Sequence, residues 1–466
     1  MPGQRPNILY ILPDQIRASA LPIYGEPNIA TPNIDRLAAQ GTVLENAVST
    51  APVCTPYRSM LMTGRHPQTT GHVINFLRTR SDEIGLADVL NAGGYHTGYV
   101  GKWHLHTGSF PEIHGRDFVP EGRDRLGWRF WRAYNFHTDY FGGSIHRDDW
   151  RAEFWEGYET DAMVGYTREF LDQAPADRPF CLVVSPHQCH WTPFRFAPDE
   201  AYARLPDTLT LPANVPPEME AKAQEMYRHY LAMLLTVDDM LGDILRALED
   251  SGRADDTLVI FTSDHGTQGG AHGLSPWEKR LPYEESVKVP WVMRWPGRIA
   301  EGARSDMLLA PADIMPTLCG VAGLDVPRTV EGLDLSAALL GQPGAPEQDA
   351  VLTMNFSKEH DFFADGAEWR GVRSRTHTYA RWLDGRVLLF DNVADPLQMT
   401  NLAGVDVALE ARMEATMQSL LARRGDPFPP CSAYVGWVDA NRRIMANTHG
   451  PLGNPEDPPD LSLLHR

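Results

Sequence analysis

Three short segments of this chain carry residue types at spacings that could do chemistry. The first is Pro52-Val53-Cys54-Thr55-Pro56-Tyr57-Arg58, continuing to Thr63-Gly64-Arg65. Pro56 suits the first turn of a helix, and Arg58, four residues after Cys54, falls on the same face. A cysteine at a helix N-terminus beside a guanidinium sits where free N–H groups and the helix dipole favour negative charge, so an anion could be held there. A buried structural cysteine next to a surface arginine fits those five residues equally well. The second segment, Gly94 to His104, places Lys102 and His104 two apart, on one side of a strand that persists so far. Lys102 offers a point charge for an anion and His104 a group that moves protons near neutral pH. In the third, the apolar run ending at Phe261-Thr262 leads into Ser263-Asp264-His265-Gly266, and an N-terminal run leads into Asp14-Gln15. Two strand ends delivering Asp14, Gln15, Asp264 and His265 make a divalent-metal site of mixed oxygen and nitrogen character, against the alternative of a polar loop capping the next element.

Those residues need a frame. Asn7 to Leu12 is a continuous apolar run of the kind found in strands buried on both faces. Thr31-Pro32-Asn33-Ile34-Asp35 opens a helix with a hydroxyl cap and proline in its first turn, and Gly41 closes it. The pattern continues with helices at 86–92 and 161–172, a long helix or pair at 218–250, and strands at 96–100, 180–185, 258–261 and 290–293. Alternating strands and helices predict an α/β fold, a mostly parallel sheet flanked by helices, with ligands at the carboxyl ends of its strands. Residues 1–345 form this catalytic domain. Beyond the Gly341-Gln342-Pro343-Gly344 cluster, short strand-like pieces at 370–373, 377–382 and 387–390 and a helix at 405–424 predict a smaller antiparallel-sheet domain over 346–430. Residues 431–466 read as an irregular arm or mobile end suited to assembly with a second copy. Between Trp103 and Tyr158 lie 14 of the 44 aromatic residues, as a substrate-lining insertion or, equally, a satellite hydrophobic cluster.

At 466 residues, 42% hydrophobic and 22% charged, the composition is that of a globular protein and excludes a disordered or fibrous chain. A net charge of −19 opposes nucleic-acid or anionic-membrane binding, so an anionic substrate requires a local basic pocket. No apolar run is long enough to cross a bilayer. Five cysteines, Cys54, Cys181, Cys189, Cys319 and Cys431, are too few and odd for a disulfide framework, which predicts a reducing, cytoplasmic setting.

Taken together the segments resemble the sulfatase family of the alkaline phosphatase superfamily, in which the cysteine of a Cys-x-Pro-x-Arg motif is oxidised to formylglycine. The resemblance runs through Asp14, the Thr31–Ala38 helix, the Cys54 motif, Gly101-Lys102-Trp103-His104, Ser263-Asp264-His265-Gly266, Gly270 to Gly273, Glu278-Lys279-Arg280, Tyr283 to Ser286 and Trp295-Pro296-Gly297. It continues in the small domain with Arg370 to Arg373 and Leu389 to Leu402. Asp14-Gln15 stands where many sulfatases have two aspartates, and His265 where many have asparagine, a pattern closer to the choline-sulfatase and phosphonate monoester hydrolase branch. Calcium suits an all-oxygen site, whereas an imidazole ligand favours manganese. Tyr57 replaces the small residue usual between Pro56 and Arg58.

The resemblance implies that residue 54, as a hydrated aldehyde on a metal held by Asp14, Gln15, Asp264 and His265, attacks a small anionic sulfate ester. It implies Arg58 on the nucleophile and Lys102 and Lys279 on the ester oxygens. His190, rather than His187, protonates the leaving oxygen, and His104 takes the proton that expels sulfate. His66, His72, His96 and His272 are structural or supporting residues. A formylglycine-generating enzyme is then a maturation partner. The alternatives are a phosphonate monoester or phosphodiester hydrolase with the same site, and a metal-binding scaffold in which Cys54 stays a thiol.

Overall fold

The computed structural model describes residues 5–107, 117–358, 362–454 and 456–464. Ten strands form one sheet: β1 (Asn7–Ile11), β2 (Thr42–Ala47), β3 (His96–Lys102), β4 (Phe130–Tyr134), β5 (Ser144–His146), β6 (Ala152–Phe154), β7 (Phe180–Ser185), β8 (Thr257–Thr262), β9 (Trp291–Arg294) and β10 (Ala303–Leu309). Their spatial order is β10-β2-β9-β8-β1-β7-β3-β4-β5-β6. The central strands β8, β1, β7, β3 and β4 run parallel. β9 is antiparallel to both neighbours, and β5 and β6 extend the far edge antiparallel. β1 and β7 are buried at every residue, the both-faces burial that their unbroken apolar runs require.

Helices cover both faces. The pattern at 218–250 resolves as one 31-residue helix, Glu220–Asp250, packed against the helix Glu159–Gln173. The helix Pro32–Ala39 begins where expected, but not with the expected cap. The Thr31 hydroxyl turns to Asp35, and the free N–H groups of Asn33 and Ile34 donate instead to the Asp238 carboxylate of the long helix, at 3.1 and 2.8 Å. A buried carboxylate on a neighbouring helix thus does the work of a local cap and ties the two helices together.

In the C-terminal region β11 (Ala350–Asn355), β12 (Trp369–Ser374), β13 (His377–Trp382) and β14 (Val387–Asp391) form an antiparallel sheet in sequence order, with the helix Val407–Arg423 against it. This small sheet reaches towards the large one. Trp369 Nε1 donates to the carbonyl of Arg280 at 2.8 Å, and Arg373 pairs with Glu284 at 2.9 Å. The tail from residue 431 runs along its own chain: Ile444 N donates to Arg78 O at 2.9 Å, and Arg80 to Gly450 O at 2.9 Å. Ile444, Cys431 and Tyr434 share an apolar cluster with Met60 and Leu77.

Within the aromatic insertion, Trp103, Trp128 and Trp131 surround Tyr99 in the core, while Tyr134, Phe136 and Tyr140 approach the carboxyl end of β7. The first group forms the hydrophobic cluster, and the second stands beside His187 at the sheet's carboxyl edge. Residues 108–116 lie outside the described residues.

Candidate active site

Parallel register brings the chemistry to one edge of the sheet. Ile11 of β1 lies opposite Val184 of β7 and Phe261 of β8, and Gly101 of β3 opposite Ser185. Just beyond these pairs the chain delivers Asp14, His187, Asp264 and Lys102, as strand-end placement predicts. Gly101 permits a close approach of β3 to β7. Its φ is +93°, and a Cβ there would stand 2.2 Å from the Ser185 carbonyl oxygen. Any side chain would push β3 off β7 and move Lys102.

The helix Cys54–Thr63 points its N-terminus into this edge. Asn75 Oδ1 accepts from Thr55 N at 3.0 Å, and Thr55 Oγ1 donates to the His104 carbonyl at 2.8 Å. Cys54 is fully buried, with Sγ 3.1 Å from His265 Nε2 and 3.4 Å from Lys279 Nζ. Burial and the Asp14 charge raise its thiol pKa, but Lys102, Lys279 and His265 outweigh them, and the net shift is downward.

Arg58 is fully buried and lies across the floor. One guanidinium nitrogen donates to Asp14 at 3.3 Å and Asp264 at 3.2 Å; the other donates to Lys102 O at 2.8 Å and Ser185 Oγ at 2.9 Å. The reading of Arg58 as a surface arginine is thus corrected. Lys102 Nζ stands 2.6 Å from Asp14 Oδ2 and donates to His187 Nε2 at 2.8 Å. Burial works against ionisation of Asp14, yet Lys102 and the nearby histidines hold its carboxyl well below the usual range.

Asp14, Cys54, Asp264 and His265 converge, with one donor atom from each lying within 4.8 Å of the others. Asp14 Oδ1 is buried and makes no hydrogen bond among the described residues. His265 Nδ1 faces the Gly266 carbonyl at 2.9 Å, which leaves Nε2 to act as a ligand. Two carboxylates, an imidazole nitrogen and an orphaned oxygen aimed inward fit a divalent cation. Gln15 lies beside them, buried, with its backbone N–H on Asp264 Oδ1 at 3.0 Å. Gln15 and His104 hold positive φ values of 64° and 58°, backbone conformations that cost about 1–3 kcal/mol each and cluster at functional sites.

His104 is fully buried against Phe76 and Phe136, and its ring nitrogens have no hydrogen-bond partner among the described residues. Burial, with Lys102 and Arg58 nearby, pushes its pKa well down, leaving a neutral imidazole able to accept a proton. His187 Nδ1 faces the His137 carbonyl at 2.5 Å, so its Nε2 is committed as acceptor to Lys102. His190 Nδ1 faces the Trp191 carbonyl at 2.7 Å. The remaining histidines lie apart: His72 bonds Ser59 and Thr79, His96 stacks on Phe170, His272 stacks on Tyr283, and His66 is buried without a hydrogen bond from its ring nitrogens.

Lys102 makes the shortest ion pair to Asp14 in the floor, 2.6 Å against 3.3 Å for Arg58. In metal-free protein Lys102→Met leaves Asp14 Oδ2 buried with Arg58 as its remaining cation, and is expected to cost about 3–5 kcal/mol in urea denaturation. A loss under 1 kcal/mol would mean that Arg58 alone satisfies Asp14.

One buried carboxylate escapes motif reading altogether. Glu159 opens its helix and accepts from the Tyr134 hydroxyl, from His187 N at 3.2 Å and from Gln188 Nε2 at 3.1 Å, so it holds the 187–190 segment. In sequence it looks like any acidic residue in a first helical turn. Burial pushes its pKa from 4.5 up to about 7. The folded state therefore holds this proton more tightly than the unfolded chain. The corresponding stability is full below about pH 4.5 and is lost as pH rises through about 7, about 3 kcal/mol in all. Glu159→Gln should flatten the fall in urea midpoint between pH 5 and 7.5; an unchanged slope would assign the proton elsewhere.

A sheet that gathers paired carboxylates, two lysines, an arginine and a helix-terminal cysteine at its carboxyl edge defines a hydrolase of anionic esters. The chain belongs to the sulfatase family, which it matches over residues 6–324. Residues 270–424 match the family described as N-sulphoglucosamine sulphohydrolase, C-terminal. The ulvan-active sulfatase of Formosa agariphila is 35% identical, covering 92% of this chain and 84% of that protein. A solved Bacteroides thetaiotaomicron structure, reported under the metabolism of multiple glycosaminoglycans, is 27% identical with a TM-score of 0.81, covering 91% of this chain and 97% of that one. The phosphonate monoester hydrolase of Agrobacterium radiobacter, at 20% identity and a TM-score of 0.66 over 97% of this chain and 100% of that one, shares the fold alone. The protein is thus a sulfatase, and the family's formylglycine and divalent metal find a matching donor cluster at Cys54.

Proposed function

We propose that this sulfatase hydrolyses sulfate esters of carbohydrate alcohols, with Cys54 oxidised to formylglycine and a divalent metal held by Asp14, Gln15, Asp264 and His265. The observation that carries the reading is the buried cluster of Asp14, Cys54, Asp264 and His265 beside three cations, Arg58, Lys102 and Lys279. The names of the relatives, ulvan-active and glycosaminoglycan-metabolising, support the carbohydrate class. His265 Nε2 among the donors favours manganese or another transition ion over calcium.

When present, the aldehyde hydrate and metal supply an acidified hydroxyl as nucleophile. The rest falls to this chain's own side chains. Lys279, beside position 54, and Lys102, paired with Asp14, take up charge on the ester oxygens as it redistributes. Arg58 bonds both carboxylates and holds them in place. His190, in its protonated form, donates from Nε2 to the leaving sugar oxygen as its bond to sulfur breaks; burial and the Lys279 charge hold its pKa well down in the free protein, so this proton is taken up as the anionic ester binds. His104, neutral and with ring nitrogens that make no hydrogen bond among the described residues, takes a proton from the residue-54 side chain so that sulfate can leave. His187 cannot serve as the acid, because its Nε2 already accepts from Lys102.

A peptide mass spectrum over residue 54, on protein made with and without a co-expressed formylglycine-generating enzyme, tests this together with metal content. Conversion to the aldehyde is expected, with sulfate release rising in proportion and about one equivalent of metal bound. A thiol in both preparations with full activity would overturn it.

A further inference from the structure

Beside the His190 segment lies a cavity of about 320 Å³ lined by Asp139, Tyr140, Phe141, Phe194 and Arg195. It is joined to the site through its wall. The Tyr140 hydroxyl donates to the carbonyls of His190 and His187, at 2.7 and 3.2 Å, so the cavity and the proposed proton donor move as one unit. Its rim is held in shape by Thr192, whose Oγ1 donates to Thr138 O at 2.9 Å and accepts from Phe194 N at 3.1 Å. Phe194 is nonetheless 61% exposed, and Trp191, next to His190, 44%. Two aromatic rings left in water by a tightly bonded turn, immediately after a site residue, are informative in a way that scattered surface apolar side chains are not.

The polar groups narrow the occupant. Arg195 lies with its guanidinium 4.6 Å from the centre of the Phe141 ring and 2.8 Å from Asp199, a solvent-exposed pair that leaves further N–H groups of its fork for a ligand. Asp139 supplies acceptors in the same cavity. A flat apolar face with a donor fork and a carboxylate at its edge suits a ring that has one C–H face and hydroxyl or carboxylate groups around its rim. That is a pyranose.

We propose that this cavity is a subsite for the sugar unit adjoining the sulfated one. The neighbouring ring stacks on Phe194, with Arg195 on its hydroxyl or carboxylate oxygens and Asp139 accepting from its hydroxyls. The proposal rests on the carbohydrate-sulfatase reading above and makes the substrate an oligosaccharide.

The test uses full-length, formylglycine-bearing protein with 4-nitrophenyl sulfate, and with ulvan oligosaccharides and sulfated glycosaminoglycan disaccharides, each set beside its matching monosaccharide sulfate. In at least one pair the longer sugar is expected to have a KM about tenfold lower. Phe194→Ala and Arg195→Ala should each abolish about that advantage while leaving kcat/KM for 4-nitrophenyl sulfate and the monosaccharide within about twofold. The subsite is overturned if wild type turns over aryl or monosaccharide sulfates with no gain from the second sugar, or if both variants slow every substrate alike. Wild-type protein that carries the aldehyde and releases sulfate from none of them overturns the carbohydrate-sulfatase reading itself, and the subsite with it.

Discussion

Cys54→Ala is expected to lower kcat for sulfate-ester hydrolysis by about 10⁴-fold or more, the scale seen when a nucleophile is removed from an otherwise intact site. The side chain at 54 is the point on which His265, Lys279 and the helix N-terminus converge, and nothing else there is placed to attack. The fold should survive, because alanine keeps the helix and removes a single buried atom, a loss of about 1 kcal/mol. The thermal transition and bound metal, checked alongside kinetics, separate loss of the nucleophile from loss of structure. A variant retaining more than about 1% of wild-type kcat would sink the assignment.

His190→Ala should divide substrates by their leaving groups. For a sugar alkoxide, which cannot depart without a proton, kcat is expected to fall about 10²- to 10⁴-fold; for 4-nitrophenyl sulfate, whose phenolate leaves unaided, by less than about tenfold. The contrast follows from the hydrogen bonds of the two rings. His190 spends Nδ1 on the Trp191 carbonyl, whereas both nitrogens of His187 are occupied, by the His137 carbonyl and by Lys102. Equal losses on both substrates would make His190 a structural residue and leave the leaving oxygen without its donor.

What could be read from sequence was whatever is local. β1, β7 and β8 are unbroken apolar runs, and the residues just past them, Asp14, His187 and Asp264, fall at the sheet's carboxyl edge by simple counting. β10 escaped because Arg304 and Asp306, both exposed, interrupt its apolar run. The cap on the Pro32 helix and the anchor at Glu159 were illegible for another reason, since each depends on a partner far away in the chain. Tyr57 looked like a departure beside the nucleophile. In the fold it is spent on packing, buried with Tyr10 and Leu61 in the core.

The packing of the C-terminal tail on the Cys54 helix sets an order of events. Met60 of that helix shares its apolar cluster with Ile444 and Tyr434, and Gly71 brings its backbone against Ile444 and Trp437. At ribosomal speeds the chain between residue 54 and this tail takes on the order of tens of seconds to make. During that interval one flank of the helix has no cover, whereas in the finished fold Cys54 is wholly enclosed. On the proposed reading, an enzyme that oxidises Cys54 therefore has to reach it within a window that translation opens and the folding of the tail narrows. Slowing synthesis downstream of the motif should raise the aldehyde fraction in the mature protein, without any change to the motif itself.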